Sequence, residues 1–127
     1  MSRHSSPLKQ KSFSFSIRIV RLGRFLQEKH KEFILSKQIV RSGTAVGALI
    51  REAEFAQSKS DFTNKLSIAL KEANETDYWL ELLYETKFIS DKMYASIAPE
   101  NKELIKMLVK SIKTSKNEIN GSGEAAS

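Results

Sequence analysis

From Gln38 to Leu83 the chain carries two long helical patterns, one crowded with small residues and the other with carboxylates set among apolar positions. This block constrains the fold more than any other feature. The first pattern begins near Ser36, a candidate cap, and continues to about Ala56 through Ser42, Gly43, Ala45, Gly47 and Ala48. An interior glycine costs a helix roughly 1 kcal/mol relative to alanine, so the pattern predicts a neighbouring helix packed close enough to offset Gly43 and Gly47. Neither glycine fits the spacing of a P-loop or a dinucleotide fingerprint, and both lie inside a helical pattern.

The second pattern opens at Ser58 and Asp61, the S-x-x-D form of a capping box, and reads unbroken to about Ile89. It carries two apolar stripes. One is Phe62, Leu66, Ala69, Ala73, Leu80 and Tyr84; the other is Ile68, Trp79 and Leu82, with Glu72 and Glu75 in the intervening turns. A helix apolar on two sides must bury two sides, which predicts a bundle core on one and a partner subunit on the other.

The flanking helices are plainer. Phe15, Ile19, Leu22 and Leu26 repeat at spacings of four, three and four, which stacks them on one face of a helix beginning near Phe13 and ending around Lys29 to Glu32. Arg18, Arg21 and Arg24 recur beside that stripe and are expected to form a solvent-facing cationic row. A short segment from Ser90 to Ile97 precedes Pro99, which suits a first helical turn and is expected to restart the chain as a last helix to about Asn117. Leu104, Ile105, Leu108 and Ile112 point inward there, while Lys102, Lys106, Lys110, Lys113 and Lys116 share a narrow arc on the opposite side. The expected organisation is a basic flexible arm over 1–12, an all-α, up-and-down (antiparallel) four-helix bundle over 13–118, and a flexible tail over 119–127.

Composition narrows the function classes. There is no cysteine, which excludes disulfides and thiolate metal sites and favours a reducing compartment. The polar, basic start has no apolar segment behind it, and no apolar run approaches membrane-spanning length, so a cytoplasmic protein without membrane attachment is expected. Residues 1–32 hold eight of the 21 Lys and Arg but only Glu28 and Glu32 of the 15 acidic residues, so the net charge of +6 resides in the first quarter. A basic surface of this kind attracts polyanions, nucleic acid first among them, and also serves simply as a solvated face.

Catalytic chemistry finds little purchase. Glu72 and Glu75 share a helix face and Glu52 is placed to join them, but a di-metal bundle needs Glu-x-x-His twice, and the only histidines are His4 and His30. Arg41 and Arg51 are the available ion-pair partners, and pairing is the favoured reading of these carboxylates. With no cysteine and no histidine near a promising serine, nothing activates a nucleophile. A non-enzymatic protein without metal or cofactor is expected.

The residues Gln38, Arg41, Ser42, Gly43, Thr44, Val46, Gly47, Ala48, Ile50, Glu52 and Ala53, followed by Phe62, Leu66, Ala69, Glu72, Glu75 and Trp79-Leu80, resemble the bacterial four helix bundle protein family related to proteins encoded by intervening sequences in 23S ribosomal RNA genes. More distantly the chain is similar to the accessory variability proteins of diversity-generating retroelements. The likeness covers roughly residues 13 to 117, with the two middle helices specific and the outer two generic. It implies a bundle assembling as a ring, a homopentamer, with a basic surface that engages RNA or DNA, and it implies no catalytic activity. Ala45 and Leu49 stand where relatives usually show serine and asparagine, which leaves open whether polar work done there elsewhere is lost here.

Two functions from different classes follow. One is a nucleic-acid-associated module in which Arg18, Arg21, Arg24 and the lysine stripe neutralise phosphates without base specificity, multiplied by avidity in a ring. The other is an oligomeric scaffold that binds a protein partner, with Arg41, Arg51, Glu52, Glu72, Glu75 and Trp79 serving ion pairs or subunit contacts and the basic surface incidental.

Overall fold

Ser6 opens the first helix earlier than the apolar periodicity alone suggests. The computed structural model describes residues 6–122, and in it α1 spans Pro7–His30, with the Ser6 hydroxyl accepting from the Lys9 backbone N–H at 3.1 Å and Pro7 in the first turn. Seven residues expected in a flexible arm are therefore ordered, because an N-cap followed by proline is a strong start signal and Leu8 and Ser12 find buried positions. The remainder of the expected arm, 1–5, and 123–127 of the expected tail lie outside the described residues.

Three further helices follow: α2 Leu35–Ala53, α3 Lys59–Glu85 and α4 Asp91–Ser122. No strand occurs among the described residues. Short connections force successive helices to run antiparallel, and each packs on the next, while α4 returns to α1 over a narrower contact. This is the expected all-α up-and-down bundle. Phe15, Ile19 and Leu26 of α1 meet Val46 of α2, Leu80 of α3 and Leu108 of α4 in one core, each with at most 1 % of its surface exposed. Burial of such a side chain contributes about 1.5–3 kcal/mol, which dwarfs the propensity differences along these helices.

The α1–α2 seam explains the small residues. A Cβ on Gly43 would lie 2.8 Å from Cγ2 of Ile19, and one on Gly47 would lie 3.1 Å from the Ser16 hydroxyl and 3.3 Å from the Ser12 carbonyl oxygen. The close approach expected at these two positions is present, and the packing it permits offsets the weak helix propensity.

Other expected boundaries change: α3 ends at Glu85 rather than about Ile89, α4 continues past Asn117 into residues 119–122 of the expected tail, where Ile119 is buried, and two helix starts differ. Ser36 does not cap α2; its hydroxyl is buried, donating to the Glu32 carbonyl and accepting from Gln27. The Glu32 carboxylate caps instead, accepting from the backbone N–H groups of Ile34, Leu35 and Ser36 at 3.1, 2.9 and 2.7 Å. A longer acid reaching forward from the loop satisfies three orphan donors where a serine satisfies one, and it places negative charge at the positive end of the helix dipole. Pro99 does not restart the chain either, since α4 runs continuously through it. The carbonyl that loses its helical donor to Pro99 is that of Ala95, an exposed residue open to water, and Ile97, Leu104 and Leu108 on both sides bury the same helix face. The Ser58 and Asp61 start of α3 stands as expected, with the serine hydroxyl accepting from the Asp61 N–H at 3.0 Å.

Candidate functional site

The cations identified from the sequence fall into three groups once their neighbours are known. Arg18 points across to α4, where its guanidinium donates to the Ser96 carbonyl at 3.2 Å and the Ser96 hydroxyl at 2.8 Å and forms an ion pair with Glu100. It is a latch between α1 and α4, not a member of a solvent-facing row. Arg21 and Arg24 do face solvent, with no acidic partner among the described residues. The difference is rotational: three residues advance a helix by slightly less than a full turn, so a row spaced by threes winds from the α4 side of α1 toward its outer face.

On α4, Lys102, Lys106, Lys110, Lys113 and Lys116 are all exposed. Lys102 is held by Asp77 of α3, bonding both carboxylate oxygens at 3.1 Å. That hydrogen bond, reinforced by the carboxylate's charge, raises the lysine pKa above its ordinary value. The other four have no acidic partner among the described residues. They span eleven residues of helix, about 15 Å along the axis, and leave an outward-facing cationic strip. The acids nearest α4's edges are already paired across helices, Glu103 with Lys11 and Glu118 with Lys59.

The carboxylates of α3 resolve as ion pairs, with the partners rearranged. Arg41 of α2 pairs with Glu72 at 3.2 Å and also with Glu75, and Glu75 accepts from the Trp79 indole N–H at 3.0 Å. Arg41 is half exposed, so the network sits at the α2–α3 surface, where such pairs contribute at most about 1 kcal/mol. Its geometric result is a fixed Trp79 ring, against which Tyr78 packs edge-on at 5.0 Å between centroids. Arg51 does not join: its guanidinium lies 5.4 Å over the Phe13 ring of α1. Glu52 turns away to Lys65 at 3.4 Å. Among the described residues no group of acidic or histidine side chains has the geometry to hold a metal ion.

Sequence reasoning missed two features. Ser42 and Thr76 share a buried hydroxyl hydrogen bond at 2.9 Å, Thr63 bonds Ser115, and Asn101 donates to the Ala73 carbonyl at 2.9 Å. These polar contacts pin the registers of α2, α3 and α4, and nothing short of knowing which helices face each other reveals them. The second is an exposed apolar line on α1, Phe13, Ile17 and Val20. Its spacing of four and three was visible in the sequence but was masked by the stronger Phe15 stripe. The replacements Ala45 and Leu49 are half-buried, and Leu49 packs against the core.

No helix among the described residues is long and apolar enough to cross a membrane. A comparison with curated proteins returns no match. Among solved structures the chain is similar to a protein of unknown function from the S23 ribosomal protein family of Bacteroides thetaiotaomicron, with 57 % identity and a TM-score of 0.83 over 84 % of this chain and 98 % of that one. The family described as 23S rRNA-intervening sequence protein matches residues 5–110, which takes in α1 to α3, the Pro99 region and the first lysines of the α4 strip. The chain therefore belongs to the 23S rRNA-intervening sequence protein family.

Proposed function

We propose that this chain is a non-enzymatic cytoplasmic bundle that assembles with copies of itself and binds RNA or DNA without sequence preference. The observation that carries the binding half is the α4 strip: Lys106, Lys110, Lys113 and Lys116 are adjacent, exposed and without an acidic partner among the described residues. Lysine ammoniums on flexible stems suit phosphate oxygens, which position a duplex or strand without reading it. No exposed aromatic residue is interleaved with the strip to stack bases, in keeping with binding that ignores sequence. The family's name, which refers to sequences within 23S ribosomal RNA, favours RNA as the first ligand to try.

The test is a salt series with a structured RNA and a duplex DNA against the wild-type protein and a variant with Lys106, Lys110, Lys113 and Lys116 changed to Glu. Four phosphate contacts predict a slope of log affinity on log salt of about −3 to −4 per bundle. The variant is expected to lose binding while its helical circular dichroism is unchanged. Binding by the variant with the wild-type slope would move the phosphate contacts off the α4 strip, and no binding by the wild-type protein near physiological salt would transfer the case to the scaffold reading, in which the basic surface is incidental.

A further inference from the structure

α1 is apolar on two faces. Phe15, Ile19 and Leu22 enter the core, and on the opposite side Phe13, Ile17 and Val20 remain 53, 39 and 36 % exposed. A single exposed apolar residue needs no explanation, but a contiguous line along a helix marks a surface made to be covered. Towards the C-terminus the same face continues into Arg21, Arg24 and Glu28, all exposed and without an oppositely charged partner among the described residues.

The C-terminal end of the outermost line of α3 carries the complementary charges. Lys71, Asn74, Tyr78, Glu81 and Glu85 repeat at spacings of three and four, all exposed, and Lys87 follows just beyond the helix end. Because a single antiparallel helix separates them, α1 and α3 run in the same direction. Read that way, the C-terminal half of α1 carries plus, plus, minus at Arg21, Arg24 and Glu28. The C-terminal end of α3 carries minus, minus, plus at Glu81, Glu85 and Lys87. Tyr78, 58 % exposed, lies just before these charges as Val20 lies just before the arginines. Its ring is held in advance by Trp79, which Glu75 and Arg41 fix in turn. A rigid, half-solvated tyrosine loses little entropy on docking, which is the character of an interface anchor.

We propose that the outer face of α1 in one copy packs against the outer face of α3 in the next. This rests on the self-assembly stated under the proposed function and names the surfaces that perform it. The two faces differ, so each copy keeps one of each to offer, and the contact repeats head to tail; it closes into a ring when the rotation between copies closes. Rotation about an axis along the bundle keeps the helices of neighbouring copies pointing the same way, as the charge patterns require. Nucleic acid is the poorer occupant of α1, because phosphates gain nothing from Phe13, Ile17 and Val20 and are repelled by Glu28.

The experiment is the solution mass by light scattering and sedimentation of three charge variants: Arg21→Glu with Arg24→Glu, Glu81→Arg with Glu85→Arg, and all four together. Each pair is expected to weaken association at least tenfold, and the fourfold variant to recover the wild-type mass because the charges are exchanged. Tyr78→Ser, which changes no charge, is expected to weaken association as well. All positions are exposed, so circular dichroism and thermal transitions should match wild type; where a pair fails that check, Tyr78→Ser and the fourfold variant carry the test. A wild-type oligomer indifferent to the α3 changes, or a fourfold variant that stays dissociated, overturns the assignment of faces while self-assembly stands. A wild-type protein that is monomeric across the concentration range overturns self-assembly itself, and the assignment with it.

Discussion

α1 has two neighbours and meets them in different ways. Toward α2 the surfaces are close-packed, with Gly43 admitting Ile19 and Gly47 admitting the backbone at Ser12. Toward α4 the contact is narrower and includes the Arg18 latch and the pair of Lys11 with Glu103 at 3.0 Å, beside a groove floored by Leu22, Phe25 and Met93. The lesson is that one helix can be anchored on one side by shape and latched on the other by charge. Shape is insensitive to salt and pH, whereas half-exposed ion pairs are not. The α1–α4 edge is accordingly the place where the bundle should open first.

The largest test of this contrast lies in the close-packed seam. Ile19→Ala is expected to lower the unfolding free energy by about 3 kcal/mol, and Gly43→Ala alone by about 1–2 kcal/mol, because the added methyl presses on a fully buried side chain. On the Ile19→Ala background the glycine change should cost about 1 kcal/mol less than alone. Urea midpoints of the four proteins measure the cycle, and strict additivity would show that the seam is not the close fit described.

The latch is expected to respond more weakly. Arg18→Ala should cost about 1 kcal/mol, since Arg18 combines one pair with two hydrogen bonds to Ser96, while Lys11→Ala should cost less than about 0.5 kcal/mol. Both differences should shrink in high salt, and hydrogen exchange of the α1–α4 edge should quicken in Arg18→Ala before that of the α1–α2 seam. Equal effects at both edges would erase the comparison.

The smallest effect concerns pH. Asp77 raises the pKa of Lys102, so the folded protein holds that proton more tightly than the unfolded chain. The stabilisation is complete at neutral pH and is lost only as pH rises through the raised value, above the ordinary lysine range. The urea midpoints of wild type and Lys102→Met should differ slightly at neutral pH and converge in alkaline solution.

Helix content, the faces that enter the core, the Ser58 start and the close approach at Gly43 and Gly47 could all be read in the sequence, because each depends on residues within a turn or two. The same locality misplaced other features. A serine near the start of α2 looks like a cap, yet Glu32 in the preceding loop accepts from the first N–H groups of the helix, that of Ser36 included, and Pro99 looks like a start although the packing on both sides carries the helix through it. The tertiary structure alone decided which charges are free. Arg18 and Arg24 carry identical side chains on one helix, but among the described residues only Arg18 has a carboxylate across the gap. Coulomb energy depends on distances in space, and those between helices are set by packing, which no periodicity within a single helix encodes.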